Sequence, residues 1–137
     1  MEVKTLWLVR GVSGSGKSTV AKELTKHLPF ATGTEADNFR YIDGVYAWDK
    51  VSNYYAHQKC QQEVQGALEF GFENVVVSNT STKARDVRKY KELAEGYGYR
   101  FISIIVENYH ETGNVHDVSE DTLCKMEHAL KSNMKLK

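Results

Sequence analysis

The chain has 137 residues, of which 41% are hydrophobic and 26% charged, which is typical of a globular protein and excludes a disordered one. The length suits one core and is too short for two, so we expect a single domain over residues 1–137. Lys and Arg total 18 and Asp and Glu total 18, which excludes the broad positive surface of a non-specific nucleic-acid binder but not a local anion site.

Membrane and secretory signals are absent from the sequence. The longest apolar run, residues 101–106, is far shorter than the ~20 residues that cross a bilayer. The N-terminus has no apolar stretch followed by small residues, so no signal peptide is predicted. Cys60 and Cys124 lack the spacing of metal ligands. We expect a reduced, cytoplasmic protein that does not contact membranes.

The first predicted element is a buried strand over residues 6–9, an apolar run that precedes a glycine-rich turn. Apolar residues at helical spacing then predict a helix over residues 17–28, which ends before Pro29. Residues 30–32 are predicted as a weak second strand. Asp43-Gly44 stands between Tyr-Ile and Val-Tyr and predicts a tight hairpin turn.

The second half of the chain continues the alternation. A long helix is predicted over residues 51–70, with Gly71 as its stop, followed by a β-branched strand over residues 75–77. A helix over residues 83–95 capped by Thr82, a strand over residues 101–106 and a final helix opened by Ser119 complete the order. Strands that alternate with helices predict βαβ units, a parallel sheet and helices on both of its faces.

The loop after the first strand has the spacing of a phosphate-binding loop. Residues 11–18 read G-V-S-G-S-G-K-S and fit G-x-x-x-x-G-K-[ST] at every fixed position. Glycine lets backbone N–H groups converge on phosphate oxygens, Lys17 adds a positive charge, and Ser18 offers a hydroxyl to Mg²⁺. The nucleotide-binding residues predicted from this loop are Gly11, Ser13, Gly14, Ser15, Gly16, Lys17, Ser18 and Thr19. A glycine-serine surface turn is the alternative, and the flanking strand and amphipathic helix disfavour it.

The rest of the sequence narrows the class of nucleotide-binding protein. It has no Asn-Lys-x-Asp segment, which a GTPase uses to read its base. The third strand ends in Ser78, Asn79 and Thr80, without the metal-binding Asp that a motor ATPase places there. The short chain favours a phosphotransferase that acts on a small or slender acceptor.

The end of the second strand is where such a fold places its acceptor residues. Asp37 and Arg40 are three positions apart, so one helical turn puts them on one face. Asp can take the proton of an acceptor hydroxyl or hold magnesium through water, and Arg can bind an acceptor phosphate with two parallel hydrogen bonds. The alternative is a solvated ion pair worth less than ~1 kcal/mol.

On these segments the chain resembles the small P-loop kinases that include the phage-type polynucleotide 5′-hydroxyl kinases, a zeta-toxin-like AAA group. The resemblance runs from about residue 6 to residue 126. It rests on five stretches, of which the second and the last are the most particular: residues 11–19, 36–40, 43–46, 56–60 and 75–82.

The resemblance implies an α/β fold, namely a three-layer P-loop NTPase of the kinase type with a four- to five-stranded parallel sheet flanked by helices. It also implies ATP and Mg²⁺ as cofactors and a 5′-hydroxyl end of DNA or RNA as the acceptor. Asp37 matches the family's general base and Arg40 its acceptor-side arginine. Lys17 and Ser18 match its phosphate-binding lysine and magnesium-binding hydroxyl. Asn79 and Thr80 match residues of its acceptor region.

One departure from the family keeps other functions open. The family's lid usually supplies arginines to the transferring phosphate, each worth ~10³-fold or more in rate, yet residues 111–117 contain neither Arg nor Lys. His116, Arg85 and Arg88 are the candidate replacements. The rivals are a kinase of a nucleoside, nucleotide or small metabolite, and a catalytically weak ATP-binding module. The sequence does not determine the oligomeric state.

Overall fold

The computed structural model of the chain describes residues 3–12, 14–47, 51–81, 83–107 and 120–132. Within these ranges, no helix combines the length and the apolar character that crossing a membrane requires. Ser13, the predicted caps Thr82 and Ser119, and the lid segment with His116 lie outside the described residues.

A four-stranded parallel sheet forms the centre of the fold, which confirms the predicted sheet. Its strands are β1 (Thr5–Arg10), β2 (Ala31–Glu35), β5 (Asn74–Asn79) and β6 (Arg100–Ile105), in the spatial order β2-β5-β1-β6. The predicted hairpin also forms, between β3 (Tyr41–Ile42) and β4 (Val45–Tyr46). Asp43 and Gly44 at its turn have φ angles of 50° and 80°, the left-handed conformation that a two-residue hairpin loop requires.

Helices cover both faces of the sheet. They are α1 (Lys17–His27), α2 (Asn53–Phe70), α3 (Ala84–Gly96) and α4 (Glu120–Ser132). Successive side chains of a strand point to opposite faces. Leu8 and Val77 therefore pack in the core that α2 and α3 cover, whereas Val9 and Val76 pack with α1 on the other face. The three layers expected of an α/β fold are present.

The boundaries of β2 and β5 differ most from the prediction, and both differences matter for the site. Phe30 has a φ of 43° and lies in a turn, so β2 begins one residue later and extends to Glu35. β5 extends two residues beyond the β-branched run of residues 75–77, to Asn79. Its neighbours cause the extension, because β1 pairs Val9 with Ser78 and β2 pairs Glu35 with the same residue. Polar residues thus continue the strands at their carboxyl ends.

The carboxyl ends of β1, β2 and β5 meet at one edge of the sheet, which is where ligands bind in open α/β folds. The phosphate-loop sequence follows β1 at this edge. A 3₁₀ turn (Ala36–Phe39) follows β2, and Thr80 follows β5. The loop and the predicted acceptor segment are therefore brought together by strand order, although they are distant in sequence.

Candidate active site

The loop after β1 has the backbone of an anion site in its described part. Gly14 and Gly16 have φ angles of 79° and 96°, in the left-handed region that glycine adopts without strain. Gly16 is the N-cap of α1 and provides no side-chain cap, so the first amides of the helix point into the loop region. The helix dipole adds partial positive charge at the same point. The geometry therefore suits a phosphate group.

A cleft of about 660 Å³ lies beside this loop, and six of the predicted site residues line it. Lys17 and Ser18 line it from the start of α1, and Asp37 and Arg40 line it from the segment after β2. Asn79 and Thr80 line it from the end of β5, whereas Thr19 is exposed on the first turn of α1. The structure thus brings the predicted loop and acceptor residues to one cavity.

Asp37 is fixed by two donors that bind the same carboxylate oxygen. Arg40 Nε donates to Oδ1 over 2.9 Å and the Tyr46 hydroxyl donates to it over 3.2 Å. The guanidinium of Arg40 also donates through Nη2 to Asn53 Oδ1 over 2.6 Å, and the Arg40 side chain is only 3% exposed. The Asp37 side chain is 29% exposed at the cleft. Asp37 and Arg40 therefore form a hydrogen-bonded, half-buried ion pair and not the solvated one of the alternative interpretation.

Asn79 is engaged with the protein on both ends of its amide. Its Oδ1 accepts a hydrogen bond of 2.7 Å from the backbone N–H of Ala36, the first residue of the 3₁₀ turn that carries Asp37. Its Nδ2 donates to the Tyr90 hydroxyl over 3.2 Å and to Cys60 Sγ over 3.6 Å. Asn79 thus ties the Asp37 segment to β5 and the α2–α3 core, a positioning contact that the sequence analysis did not foresee.

Two side-chain contacts in the cleft are not predicted from the sequence. Glu35, the last residue of β2, accepts a 2.9 Å hydrogen bond at Oε2 from the Ser18 hydroxyl. Tyr46 reaches Asp37 from the hairpin. The available signal was position alone, since Glu35 ends a strand two residues before Asp37. The hairpin turn was predicted, but its approach to Asp37 depends on tertiary packing.

Positive side chains form the far wall of the cleft. Lys83, Arg85 and Lys89 line it from the start of α3 and the residue before it, and all three are exposed. Asp86 on the same helix also lines the cleft and offsets part of this charge. Of the two α3 arginines suggested as replacements for a lid arginine, Arg85 is in the cleft lining, and Arg88 is exposed on α3.

Burial shifts the pKa of Lys17, His57 and Tyr46, three of the groups that line the cleft. Desolvation lowers the pKa of Lys17, although the nearby charges of Asp37 and Glu35 oppose the shift. Desolvation likewise lowers the pKa of His57, and the charge of Arg40 adds to that effect. Desolvation and the Asp37 carboxylate raise the pKa of Tyr46 to about 12, so its hydroxyl stays protonated and keeps donating to Asp37 at neutral pH.

Two other proteins have sequences that align with most of this chain. Human NEDD4-binding protein 2 is 28% identical over 128 residues, which are 88% of this chain but 7% of that protein. The uncharacterized protein PM0531 of Pasteurella multocida (strain Pm70) is 30% identical over 136 residues, covering 90% of this chain and 75% of that protein. The chain therefore spans most of the bacterial relative and a small part of the human one.

Solved structures share the fold. A chain of the Pnkp1/Rnl/Hen1 RNA repair complex superposes with a TM-score of 0.78 at 17% identity, over 100% of this chain and 48% of that one. A gluconokinase from Sinorhizobium meliloti 1021 superposes with a TM-score of 0.55 at 19% identity, over 100% of this chain and 70% of that one. At this level of identity the likeness establishes a kinase-like P-loop fold.

Residues 6–114, which include the phosphate loop, the Asp37 segment and the end of β5, match the AAA domain family. This match extends over well more than half of the chain. The chain belongs to the AAA domain family.

Proposed function

We propose that the chain is an ATP-dependent kinase that transfers the γ-phosphoryl group of ATP to a 5′-hydroxyl end of DNA or RNA. The observation that carries the proposal is that Asp37 shares one cleft with Lys17 and Ser18 of the phosphate loop. A carboxylate opposite a triphosphate site is the arrangement that phosphoryl transfer to an alcohol requires.

The proposed reaction assigns one role to each side of the cleft. The loop amides and Lys17 bind the β- and γ-phosphates, and the Asp37 carboxylate takes the proton of the acceptor hydroxyl. The acceptor oxygen forms a bond to the γ-phosphorus while the bond from that phosphorus to the β–γ bridging oxygen breaks. The products are ADP and a 5′-phosphate, and the proton resides on Asp37 until solvent removes it.

Arg40 and Asn79 position Asp37 in this proposal. Arg40 holds the carboxylate directly, and Asn79 holds the backbone of the turn on which it lies. The sequence also predicts that Arg40 binds an acceptor phosphate, and this second role stays a prediction. Acceptor contacts of Asn79 and Thr80 likewise stay predictions, and both residues line the cleft.

Hydroxyl and carboxylate oxygens at the loop suit Mg²⁺, which prefers hard oxygen ligands together with nucleotide phosphates. Ser18 carries the loop hydroxyl that would hold the ion, and Glu35 accepts a hydrogen bond from that hydroxyl. When bound, Mg²⁺ neutralises charge that develops on the β- and γ-phosphate oxygens.

The α3 wall supports a nucleic-acid end as the acceptor. Lys83, Arg85 and Lys89 present positive charge along the cleft of a chain whose formal net charge is zero. Phosphates that follow a 5′-terminal nucleotide are the natural partners of such a wall. Arg85 is also the candidate for the charge that the lid sequence lacks. The RNA repair complex with which the chain shares its fold is consistent with this acceptor.

A kinase of a nucleoside or small metabolite is the second candidate. The cleft volume of about 660 Å³ lies within the range of small-molecule sites, and a gluconokinase shares the fold. The two candidates use the same loop and the same base, and they differ only in what occupies the acceptor side.

Transfer of label from γ-labelled ATP to a panel of acceptors tests both candidates. The panel contains 5′-hydroxyl DNA and RNA oligonucleotides, nucleosides and small hydroxy acids. We expect label on the oligonucleotides, and we expect Asp37→Asn to lower the rate by about 10²–10⁴-fold while ATP affinity is kept. Asp43→Asn is the matched control, since it makes the same change at an exposed hairpin position.

Each outcome of this experiment decides between the proposals. Label only on nucleosides or hydroxy acids overturns the nucleic-acid acceptor in favour of the second candidate. ATP binding without label on any acceptor overturns both and leaves an ATP-binding module. Full activity of Asp37→Asn refutes the assignment of the base.

A further inference from the structure

Three oxygen-bearing side chains lie at the carboxyl edge of the sheet, on the side of the phosphate loop. Ser18 is at the start of α1, and its hydroxyl donates to Glu35 Oε2 over 2.9 Å. Glu35 ends β2, and its Cα is the register partner of Ser78 on β5. All three residues line the cleft. Register partners in a parallel pair project to the same side of a sheet, so Glu35 and Ser78 are neighbours on one face.

The second feature of this cluster is the buried hydroxyl of Ser78, unsatisfied by any described residue. The residue is only 3% exposed, and its buried Oγ has no hydrogen-bond partner within the described part of the chain. Its side chain projects on the face of Val76, toward α1, whereas Val77 and Asn79 project into the α2–α3 core. A buried hydroxyl without a partner is costly, and a bound ligand at the cleft would satisfy it.

The charge of the cluster indicates which ligand it suits. One carboxylate and two hydroxyls are hard oxygen donors, which favour Mg²⁺ or Mn²⁺ over softer metals. Among the described residues, no group of three or more His, Cys, Asp or Glu side chains is placed to hold a metal. A cation at Glu35 would therefore need further ligands, and Mg²⁺ is commonly bound by one or two carboxylates together with substrate phosphates.

We propose that Glu35, with the Ser18 and Ser78 hydroxyls, holds the divalent cation that accompanies the nucleotide, directly or through a metal-bound water. This inference rests on nucleotide binding at the loop, as in the proposed function. β5 ends in Ser78 and Asn79 and carries no carboxylate at this edge, and the neighbouring strand β2 supplies one instead. Glu35 is thus the metal-side carboxylate, while Asp37, two residues later, is the acceptor-side one.

The alternative is that Glu35 only holds Ser18 in place. The two roles differ in how nucleotide affinity responds to metal. A metal-side carboxylate is needed only when the cation is present. A carboxylate that merely shapes the loop affects nucleotide binding to the same extent with and without the cation.

Calorimetric titration with a non-hydrolysable ATP analogue separates the two roles. Each variant is titrated in EDTA, in Mg²⁺ and in Mn²⁺. For Glu35→Gln we expect the gain in affinity that the metal provides to fall by about 10–100-fold, with affinity in EDTA unchanged or higher. Glu63→Gln is the matched control, since it removes the same charge from an exposed position of α2. Mn²⁺ electron paramagnetic resonance of the ternary complex should change in Glu35→Gln and not in the control.

Ser78→Ala provides a second, independent variant. Because its hydroxyl has no described partner, we expect the variant to keep its melting temperature while losing part of the metal-dependent gain. The inference is overturned if the metal raises the nucleotide affinity of Glu35→Gln as much as that of the wild type, or if the variant loses affinity equally with and without metal. Either result leaves the proposed function intact. Failure of the wild-type chain to bind the analogue under any condition overturns the proposed function, and this inference with it.

Discussion

Replacing Arg40 tests whether its side chain positions Asp37, the proposed base. Arg40→Lys keeps the charge but loses the planar fork that donates to Asp37 and to Asn53 at the same time. Arg40→Ala removes both bonds. If Arg40 is a positioning residue, both variants lower kcat more than they raise KM for the acceptor, because the carboxylate is no longer held in line.

The expected loss of stability follows from the two contacts. A hydrogen bond to a charged group contributes about 1.5–3 kcal/mol, so the two described bonds correspond to about 3–6 kcal/mol before hydration is considered. The partners are partly hydrated, since the Asp37 side chain is 29% exposed and Asn53 is exposed, so water replaces part of each bond. We expect Arg40→Ala to lower the free energy of unfolding by about 2–3 kcal/mol and Arg40→Lys by about half of that.

Urea denaturation followed by circular dichroism measures the free energy of unfolding, and steady-state kinetics with varied acceptor measures kcat and KM. Lys26→Ala is the control, because Lys26 is exposed in the last turn of α1 and surface changes usually stay within about 0.5 kcal/mol. An Arg40→Lys protein as stable as the wild type would refute the energetic reasoning. A raised KM with an unchanged kcat would instead support the acceptor-phosphate role expected from the sequence.

Three further predictions concern the loop, helix α2 and the cleft. Gly11→Ala would place a Cβ 2.6 Å from both Ser15 Oγ and the Val106 carbonyl oxygen, so we expect a loss of about 1–3 kcal/mol in urea denaturation and weaker ATP binding. Gly66→Ala, in α2 with nothing within 4 Å of the added Cβ, should stabilise by about 0.5–1 kcal/mol. Because the pKa of His57 is lowered in the folded chain, we expect the free energy of unfolding to keep its full value above pH 6.5 and to fall as the pH decreases below 6.5. In that lower range the unfolded chain binds more protons than the folded one. His57→Gln should flatten that pH dependence.

Opposite results would count against these arguments in different ways. If Gly11→Ala is as stable as the wild type and binds ATP normally, the close approach of the β1 end to the loop does not constrain the backbone. If the stability of the wild type and of His57→Gln falls identically between pH 6.5 and pH 5, other groups cause the acid sensitivity.

The sequence by itself determined the order of elements and the phosphate loop. Periodicities of apolar residues are local properties, and so is the glycine spacing of the loop, so strands, helices and the hairpin turn were predicted in the right order. Strand ends were less well predicted. β2 contains Thr-Gly-Thr, which has weak strand character, and only its pairing with β5 extends it to Glu35.

Tertiary structure alone decided how the cleft residues contact one another. Ser18 and Glu35 are 17 positions apart, and Ala36 and Asn79 are 43 apart, so no local pattern relates them. Parallel strands with helical crossovers bring such residues to one edge of the sheet, because every strand of the sheet ends there. Lys17 and Asp37 could be singled out because each lies in a local motif, whereas the contacts of Glu35 and Asn79 depend on that convergence and are visible only in the fold.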